Sequence, residues 1–466
     1  MTAESLERFL ARIGNPISFL RNSPSDTFSF PVVPPEFSSW KNEQRAWRET
    51  VVMFDQSFHM ASVRLRGPDA LRLLTRLGAN SFANLGPGKA KQFLACNYDG
   101  MVIGDSVLLC ESLEDMWLIG RPPSLNWVQF HAATGDYEVT YERRDRAPDE
   151  TGGAAIERDH YRFQIYGPNA PALFEKLNGR PVPDIKFFSF ATINIGPHQT
   201  KALRHSMAGM PGFEIWGPYD QRAQVLQTII AAGAEFGLRR GGTRAYSTST
   251  GESAWIPAPL PAVYTGDKMK PYREWLPARG YEAFVSVGGS FASDDIEHYY
   301  VTPFALGYGK MVKFDHDFIG REALEELAKQ PQRKRVTFVW HPDEVLRLLA
   351  SGLSPDEDLP FKVPDFPLLN YSASPYDRVM RGNELVGFAM WTTYSYNERR
   401  VLSVGIVDAD VELGDELQLI WGEENGGTAK RMVEPHRQTA LRVQVAPSPY
   451  AKGADRNRRE DWTGAP

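Results

Sequence analysis

The chain contains two similar stretches, Val63-Arg64-Leu65-Arg66-Gly67-Pro68-Asp69-Ala70 and Phe163-Gln164-Ile165-Tyr166-Gly167-Pro168-Asn169-Ala170. In each, a strand-like alternation of apolar and polar residues ends at Gly-Pro and an Asx residue, and a helix-forming segment follows. Proline and Asx beside glycine are typical of a turn that begins a helix. The repeat predicts two related α+β units, each with a helix packed on an antiparallel sheet. A chance match of two common β-turn-α units is the alternative.

The rest of the chain changes character twice. Residues 239–281 are rich in Gly, Pro, Ser and Thr with tryptophans among them, and they show poor helical or strand periodicity. Long irregular segments inside compact proteins are usually functional or disordered, and the tryptophans favour a functional loop. From Arg335 onward short alternating runs separated by turns predict a C-terminal β domain. The predicted division is a first α+β subdomain at 1–150, a second at 151–330 that includes the long loop, a β domain at 331–450 and a flexible tail at 451–466.

Composition narrows the class of protein. Acidic and basic residues (58 and 52) are interspersed and give a net charge of -6, which predicts neither nucleic-acid nor membrane binding. The only cysteines, Cys96 and Cys110, favour a reducing compartment, and no signal-peptide core is visible, so a cytoplasmic protein is expected. The spacing of Asp315-His316-Asp317 is wrong for ligands on one strand face, and no metal site is predicted.

Two longer strings indicate a family. Pro211-Gly212-Phe213-Glu214-Ile215 and, downstream, the run from Val312 to Leu324 resemble the folate-dependent aminomethyltransferases of the glycine cleavage system. That resemblance implies an α+β fold in which two related subdomains and a C-terminal antiparallel β-barrel surround a folate site. It also implies that Glu214 accepts hydrogen bonds from the pterin ring, as a carboxylate can from two donors at once. A salt bridge or an exposed strand position is the alternative for Glu214.

A closer resemblance covers nearly the whole chain. It is to the tetrahydrofolate-dependent aryl O-demethylases of lignin-derived aromatic catabolism, a group with enzymes for vanillate, 3-O-methylgallate and syringate. The resemblance implies tetrahydrofolate as methyl acceptor and a small methoxylated aromatic acid as substrate. The strings that carry it include Leu20-Arg21-Asn22-Ser23, Pro35-Glu36-Phe37-Ser38, Phe54-Asp55-Gln56, Ile256-Pro257-Ala258-Pro259-Leu260-Pro261, Tyr264-Thr265-Gly266-Asp267-Lys268 and Arg273-Glu274-Trp275-Leu276-Pro277.

Tyr246 separates the two families. In Gly242-Thr243-Arg244-Ala245-Tyr246 it stands where the glycine-cleavage enzymes have arginine, and the aryl demethylases use this tyrosine catalytically. An aryl methyl ether has a poor phenolate leaving group, and a tyrosine with an unperturbed pKa of about 10 is matched to protonate it. The resemblance therefore implies that Tyr246 is the general acid. A packed loop tyrosine is the alternative.

Other roles follow from the same resemblance. Arg121 matches the arginine that holds the substrate carboxylate, and His59 matches a histidine on the substrate side, with a surface ion pair and a core histidine as the alternatives. Gln164 and Trp255 match the folate side, by amide hydrogen bonds and indole stacking. Asp105 falls where the glycine-cleavage relatives have paired acids, which implies a place on the cofactor side, although only one acid is present here.

Phe30 and Phe58 bear on the substrate. The vanillate enzyme resembles this chain around both positions but has a tyrosine and a second histidine there. Two phenyl rings make the pocket more apolar, which favours syringate with its second methoxy group over vanillate or 3-O-methylgallate. A monomer is expected. An aminomethyl or methylamine-type folate enzyme and a non-catalytic folate-binding protein are the rival hypotheses.

Overall fold

Helices and strands account for most of the computed structural model, which describes residues 4–23, 25, 30–145, 158–205, 209–355, 359–427, 430 and 433–451. The helices are α1 Leu6–Ile13, α2 Pro16–Arg21, α3 Trp40–Glu49, α4 Ala70–Leu77, α5 Pro122–Thr134, α6 Ala170–Asn178, α7 Arg222–Gly233, α8 Thr243–Ser253, α9 Lys270–Trp275, α10 Tyr281–Phe284, α11 Arg321–Leu327 and α12 Pro342–Ser351. The strands are β1 Val51–Asp55, β2 Ala61–Arg66, β3 Lys89–Cys96, β4 Val102–Ser112, β5 Asp115–Gly120, β6 Thr140–Arg144, β7 His160–Tyr166, β8 Phe190–Ile195, β9 His198–Leu203, β10 Gly212–Pro218, β11 Leu238–Gly241, β12 Val287–Gly288, β13 Lys334–Trp340, β14 Ser374–Pro375, β15 Asp377–Arg381, β16 Glu384–Ser395, β17 Arg400–Val407, β18 Glu416–Trp421 and β19 Thr439–Ala446.

Two sheets repeat one topology. The first has the order β3-β4-β5-β2-β6, and the second has β8-β9-β10-β7-β1-β11. In chain order each unit runs strand, helix, three strands, helix, strand, so β7 to β11 correspond to β2 to β6. The second sheet differs by one extra strand, β1, between β7 and β11. The predicted α+β class with two related subdomains is confirmed.

The Gly-Pro turn recurs for a steric reason. Gly67 and Gly167 have φ angles of 138° and 143°, where side chains are rarely found. A Cβ atom would lie 2.2 Å from the carbonyl oxygen of Glu138 at the first turn and 2.4 Å from that of Thr50 at the second. Only glycine lets the chain pass this close to the neighbouring backbone before α4 and α6 begin.

The sheets do not follow the division expected at residue 150. Strand β1 lies within 1–150, yet it pairs antiparallel with β7 and parallel with β11 in the second sheet. Conversely, Tyr264, Tyr299 and Leu324, from the segment assigned to the second subdomain, belong to the core cluster of the first sheet. Strand pairing depends on partners far apart in sequence, so a linear division missed this exchange.

The C-terminal domain is a closed barrel with the strand order β13-β17-β16-β15-β18-β19. Its neighbouring strands pair antiparallel, and Trp340 and Trp421 pack edge to face inside it with ring centroids 5.1 Å apart. The predicted antiparallel barrel is confirmed. The tail expected to be flexible lies, from residue 452 onward, outside the described residues.

The segment predicted to be a long loop is partly regular, and this prediction was wrong for its first third and again at α9, Lys270–Trp275. Residues 238–241 form β11, and 243–253 form α8. Helix α8 is buried along Ala245 to Glu252, so it has no polar face to produce a helical pattern. Its hydroxyls bond within the helix: Ser247 Oγ donates to the Thr243 carbonyl at 2.8 Å, and Ser249 Oγ donates to that of Tyr246 at 2.8 Å. Apolar periodicity does not detect a helix that buries Ser and Thr in this way.

Within the described ranges, no helix is long and apolar enough to cross a membrane. The same residues contain no group of three or more His, Cys, Asp and Glu arranged to hold a metal ion. His316 instead contacts Asp315 at 2.8 Å and the Gly78 carbonyl at 2.9 Å.

Candidate active site

Two cavities adjoin where the subdomains and the barrel meet. The larger, about 1570 Å³ with its open mouth, is bounded by both sheets and by Tyr308 and Arg335. The smaller, about 480 Å³ when the open space at its mouth is counted, is bounded by α8, the chain after β1 and the barrel. Four residues line both, and they are Met60, Arg121, Tyr246 and Trp255. The arrangement suits two ligands that meet at a shared wall.

The segment 56–60 links the two sheets, since β1 lies in one and β2 in the other. It is fixed at both ends: the Gln56 N–H donates to the Arg162 carbonyl at 2.8 Å, and the Arg158 guanidinium donates to the carbonyls of Phe58 and Met60 at 3.0 and 3.2 Å. This tether places Gln56 and His59 beside the shared wall.

Helix α8 brings Tyr246 to the same wall. The Glu43 carboxylate accepts from the Gly242 N–H at 2.8 Å, at the helix N-terminus where an acid is favoured. Gln44 Nε2 donates to Thr248 Oγ1 at 2.7 Å, and on the barrel side Ser395 Oγ donates to Glu252 Oε1 at 2.6 Å. Both α3 and the barrel therefore position the tyrosine.

The Tyr246 hydroxyl is held by two neighbours. Its oxygen lies 3.0 Å from His59 Nε2 and accepts a hydrogen bond from Gln56 Nε2 at 3.1 Å. Burial and the nearby Glu214 carboxylate raise the pKa of Tyr246 well above its ordinary value, so the phenol keeps its proton and is a weaker acid than the match to a phenol leaving group expected from the sequence. With Gln56 donating, the phenolic proton points to His59 or to a ligand.

His59 is neutral in this setting. Burial and the charges of Arg162 and Arg121 hold its pKa well below the ordinary value. Its ring stacks on Phe30, with centroids 4.5 Å apart and planes at 16°. Phe30 also meets Tyr246 edge to face at 5.5 Å, so the predicted trio of Phe30, His59 and Tyr246 converges.

One face of the second sheet is the floor of the larger cavity. Strand alternation turns Phe163 and Ile165 into the core, while Gln164 and Glu214, paired in register, face the cavity. Glu214 Oε1 forms a buried ion pair with Arg162, and Oε2 lies 3.8 Å from His205 Nδ1. Gln164 Oε1 accepts from Gln56 Nε2 at 2.9 Å, and Gln164 Nε2 is buried without a hydrogen-bond partner in the described chain. Unsatisfied buried polar atoms at a cavity are typical of a ligand site.

Asp105 and Trp255 form the opposite side. Asp105 Oδ2 accepts hydrogen bonds from Tyr308 Oη at 2.7 Å and Trp255 Nε1 at 3.2 Å, and a third comes from Gln92. Burial raises the pKa of Asp105, and these hydrogen bonds act against it. The carboxylate thus orients the Trp255 indole in the shared wall.

The smaller cavity is mainly apolar with polar groups at one side. Arg121 lies at the N-terminus of α5, and its guanidinium carbon is 5.4 Å from the Tyr281 ring centroid. The barrel supplies Trp391, where the β16–β17 register shifts between Ala389 and Trp391. Such bulges re-aim side chains near functional sites, and here the Trp391 indole donates to the Ser247 carbonyl of α8 at 3.3 Å.

Phe58 is not brought to the site. Its ring packs edge to face on Tyr219 at 6.2 Å, and Arg158 and Arg222 lie over it at 5.8 and 5.2 Å. Phe58, like Phe30, is not among the described residues that line the two cavities, but the Phe30 ring stacks on His59 whereas the Phe58 ring packs on Tyr219. The geometry corrects the expectation of substrate contact, because Phe58 turns toward the residues preceding α7 while its neighbour His59 turns inward.

The residues of the site that the sequence did not reveal include Gln56, Arg162, Tyr308 and Trp391. Alternation along Tyr161–Tyr166 puts Arg162 on the face of Gln164, which was a usable signal. Trp391 carried no such signal, since a bulge interrupts the alternation.

Comparisons with known proteins agree with this geometry. The model of the GCVT N-terminal domain matches residues 15–257. Syringate O-demethylase of Sphingobium sp. strain SYK-6 is 43% identical over 99% of each chain. Sesamin methylene transferase of Sinomonas sp. strain No.22 is 28% identical over 91% of each. The crystal structure of the glycine cleavage system aminomethyltransferase T from Bartonella henselae shares the fold, with a TM-score of 0.57 and 16% identity over 92% of each chain.

Proposed function

We propose, on the premise that this chain belongs to the GCVT N-terminal domain family, that it is an aryl O-demethylase which transfers the methyl group of a methoxylated aromatic acid to tetrahydrofolate. The observation that carries the proposal is the place of Tyr246. A buried phenol that keeps its proton lies in the wall shared by two cavities, each suited to one reactant.

The larger cavity fits tetrahydrofolate. Gln164 Nε2 and Gln56 Oε1 are buried without hydrogen-bond partners among the described residues, and they face a region where a pterin offers both donors and acceptors. Glu214 Oε2 is an anionic acceptor for an amino group or a ring N–H, and the Trp255 indole is a flat surface for stacking. When bound, tetrahydrofolate supplies N5 as the methyl acceptor and loses a proton there.

The lining of the smaller cavity suits the aromatic acid. Arg121 is suited to bind the carboxylate bidentately, which would direct the far end of the ring at Tyr246. Met60, Trp255, Pro257 and Trp391 give the ring apolar walls. Phe30 adds a phenyl ring behind His59, and these walls favour a second methoxy group, as in syringate, with vanillate and 3-O-methylgallate as slower substrates.

Tyr246 is the general acid of this proposal. As the methyl–oxygen bond breaks, the ether oxygen takes the Tyr246 proton, so a phenol leaves in place of a phenolate. His59 Nε2, neutral and 3.0 Å from the same hydroxyl, is the route by which a proton returns to Tyr246. The ether oxygen gains one proton for the one lost from N5, so the reaction balances. General acid help of this kind is typically worth about 10²–10⁴ in rate, and alignment of the two reactants supplies more.

The test is direct. The purified protein is mixed with tetrahydrofolate and, separately, with syringate, vanillate or 3-O-methylgallate, and 5-methyltetrahydrofolate and the demethylated phenol are quantified. Equal amounts of both products, with no turnover when tetrahydrofolate is left out, support the proposal. Methyl transfer from none of the three acids would contradict it. Turnover of aminomethyl or methylamine donors instead would favour the rival enzyme class, and folate binding with no turnover of either would favour a binding protein.

We also propose a cytoplasmic monomer. Cys96 and Cys110 are both free and buried, as in proteins of reducing compartments. Cell fractionation and sedimentation velocity test the two statements separately.

A further inference from the structure

We infer that Gln56 is a positioning residue that makes the acid function of Tyr246 depend on occupancy of the folate cavity. The inference rests on the proposed function and concerns a residue with no direct role in the transfer.

The amide of Gln56 bridges the two halves of the site. Its Nε2 donates both protons, one to Tyr246 Oη at 3.1 Å and one to Gln164 Oε1 at 2.9 Å. All three side chains are nearly inaccessible to solvent. A single planar amide therefore connects the hydroxyl in the shared wall to the floor of the larger cavity.

Because Gln56 Nε2 donates to Tyr246 Oη, the phenolic proton of Tyr246 points away from Gln56. An oxygen that accepts from Gln56 presents its own O–H elsewhere, and the neighbour on that side is neutral His59, 3.0 Å away. Gln56 therefore turns the Tyr246 proton toward the substrate side. The hydrogen bond from Gln56 also lowers the pKa of Tyr246, although burial has the larger and opposite effect. This hydrogen bond stabilises the tyrosinate that forms as the proton leaves.

The hydrogen bonding of the Gln56 and Gln164 amides is incomplete within the described chain. Gln56 Oε1 and Gln164 Nε2 are buried and have no hydrogen-bond partner there, although both residues line the folate cavity. Buried polar atoms without a hydrogen-bond partner cost folding free energy and are rare in native proteins. A ligand that satisfies them fixes the orientation of both amides, and with them the Tyr246 hydroxyl. Without it the two amides can reorient, and the proton is less well directed.

The experiment compares Gln56→Met, which keeps the shape and removes the donor, with Gln56→Glu, which is isosteric. Steady-state kinetics with syringate and tetrahydrofolate are measured for both and for the wild type across pH, and folding is checked by thermal unfolding. Gln56→Met is expected to lower kcat by roughly 10-fold or more, the loss of a hydrogen bond to developing charge, while KM for syringate changes little.

The pH profile supplies the readout that a structural role would not affect. In the Gln56→Glu variant the protonated carboxyl group donates to Tyr246 as the amide does, and the ionised carboxylate cannot. The Gln56→Glu activity relative to wild type should therefore rise as pH falls, and the ratio for Gln56→Met should stay flat. Wild-type kcat in both variants, or parallel pH profiles for the two, would overturn the inference. If either variant fails to fold, the other still decides, by its kcat or by its pH profile.

Occupancy is tested by calorimetry. The demethylated aromatic acid is titrated into the wild type and Gln56→Met, with and without tetrahydrofolate. Tetrahydrofolate should tighten binding of the acid in the wild type, and this coupling should be lost in Gln56→Met. An equal coupling in both proteins would contradict the inference. An inactive wild type would count against the proposed function itself, whereas an active wild type with an unaltered Gln56→Met refutes only the role of Gln56.

Discussion

Tyr246 Oη and His59 Nε2 lie 3.0 Å apart, and burial moves their pKa values in opposite directions. The phenol is harder to ionise, and the imidazole is harder to protonate. Both groups therefore stay neutral together over a wide pH range, which keeps one proton donor and one acceptor at a single point of the shared wall.

Tyr246→Phe should abolish turnover and leave both ligands bound. Phenylalanine keeps the ring packing and removes the proton donor, so the loss should appear in kcat by at least about 10²-fold, with little change in ground-state affinity. Calorimetry for syringate and folate, followed by single-turnover transfer on the same sample, measures both quantities.

Tyr166→Phe is the matched control. Tyr166 is fully buried near Tyr246, in the same hydrophobic cluster, and its hydroxyl has no hydrogen-bond partner in the described residues. Its replacement should leave kcat unchanged. Near-normal transfer in Tyr246→Phe would place the acid elsewhere, with His59 next, and lost binding would make Tyr246 a pocket wall.

Glu214→Gln should weaken folate binding by about 1–3 kcal/mol, since an anionic acceptor for pterin donors is lost. The amide is preferred to alanine, because its oxygen can still accept the hydrogen bond from Arg162, whereas alanine removes that acceptor as well as the charge. Isothermal titration gives the affinity. Glu111→Gln, which alters an ion pair with Lys201 outside the site, is the control, and equal folate affinity in both variants would remove Glu214 from the folate site.

The acid limb of kcat/KM should lie clearly below the ordinary histidine pKa of about 6.5, because the pKa of His59 is lowered and the neutral ring is the form that accepts a proton. Activity should stay flat as pH falls through that value and decline only when His59 protonates. His59→Gln should be slower and lack this limb. His131→Gln is the control, because burial also lowers the pKa of His131, to about 4, far from the site. A midpoint near 6.5, or the same limb in His59→Gln, would count against the assignment.

Phe30→Tyr should reduce the preference for syringate over vanillate, because a hydroxyl would enter the apolar surroundings of His59. Phe58→Tyr should leave that ratio unchanged, since the Phe58 ring packs between arginines outside both cavities. Competition between the two acids in one reaction gives the ratio of kcat/KM values. A shift with Phe58 and none with Phe30 would reverse the assignment.

Local sequence patterns predicted much of the fold. The repeated Gly-Pro turn requires glycine at Gly67 and Gly167, so a sequence signal and a steric constraint coincide there. Strand β1 escaped because its five residues look alike whichever sheet they join, and only pairing with β7 and β11 decides between them. Helix α8 escaped because a helix buried on all sides shows no periodicity.

The residues of the site also divide into those that the sequence suggests and those that only the structure reveals. Residues with distinctive chemistry in recognisable strings, such as Tyr246 and Arg121, could be proposed from the sequence, and both line the two cavities. Gln56 and Trp391 were missed, because an amide and an indole are common side chains whose roles come from neighbours more than a hundred residues away. Phe58 shows the converse: adjacency to His59 in sequence does not give adjacency in space.

The match to the family model ends at residue 257, but the core and the cavities of the protein include residues beyond that point. The chain beyond it is part of the same folded unit, since Leu260, Tyr272 and Tyr299 complete the core under the first sheet and Trp391 lines the smaller cavity. A fragment that ended at residue 257 would expose apolar core to water, and it would lack the Trp391 side chain that lines the smaller cavity. Because the first sheet and the barrel share one core, with Phe388 and Trp391 packed into it, an engineered exchange of the N-terminal segment alone should fail to fold.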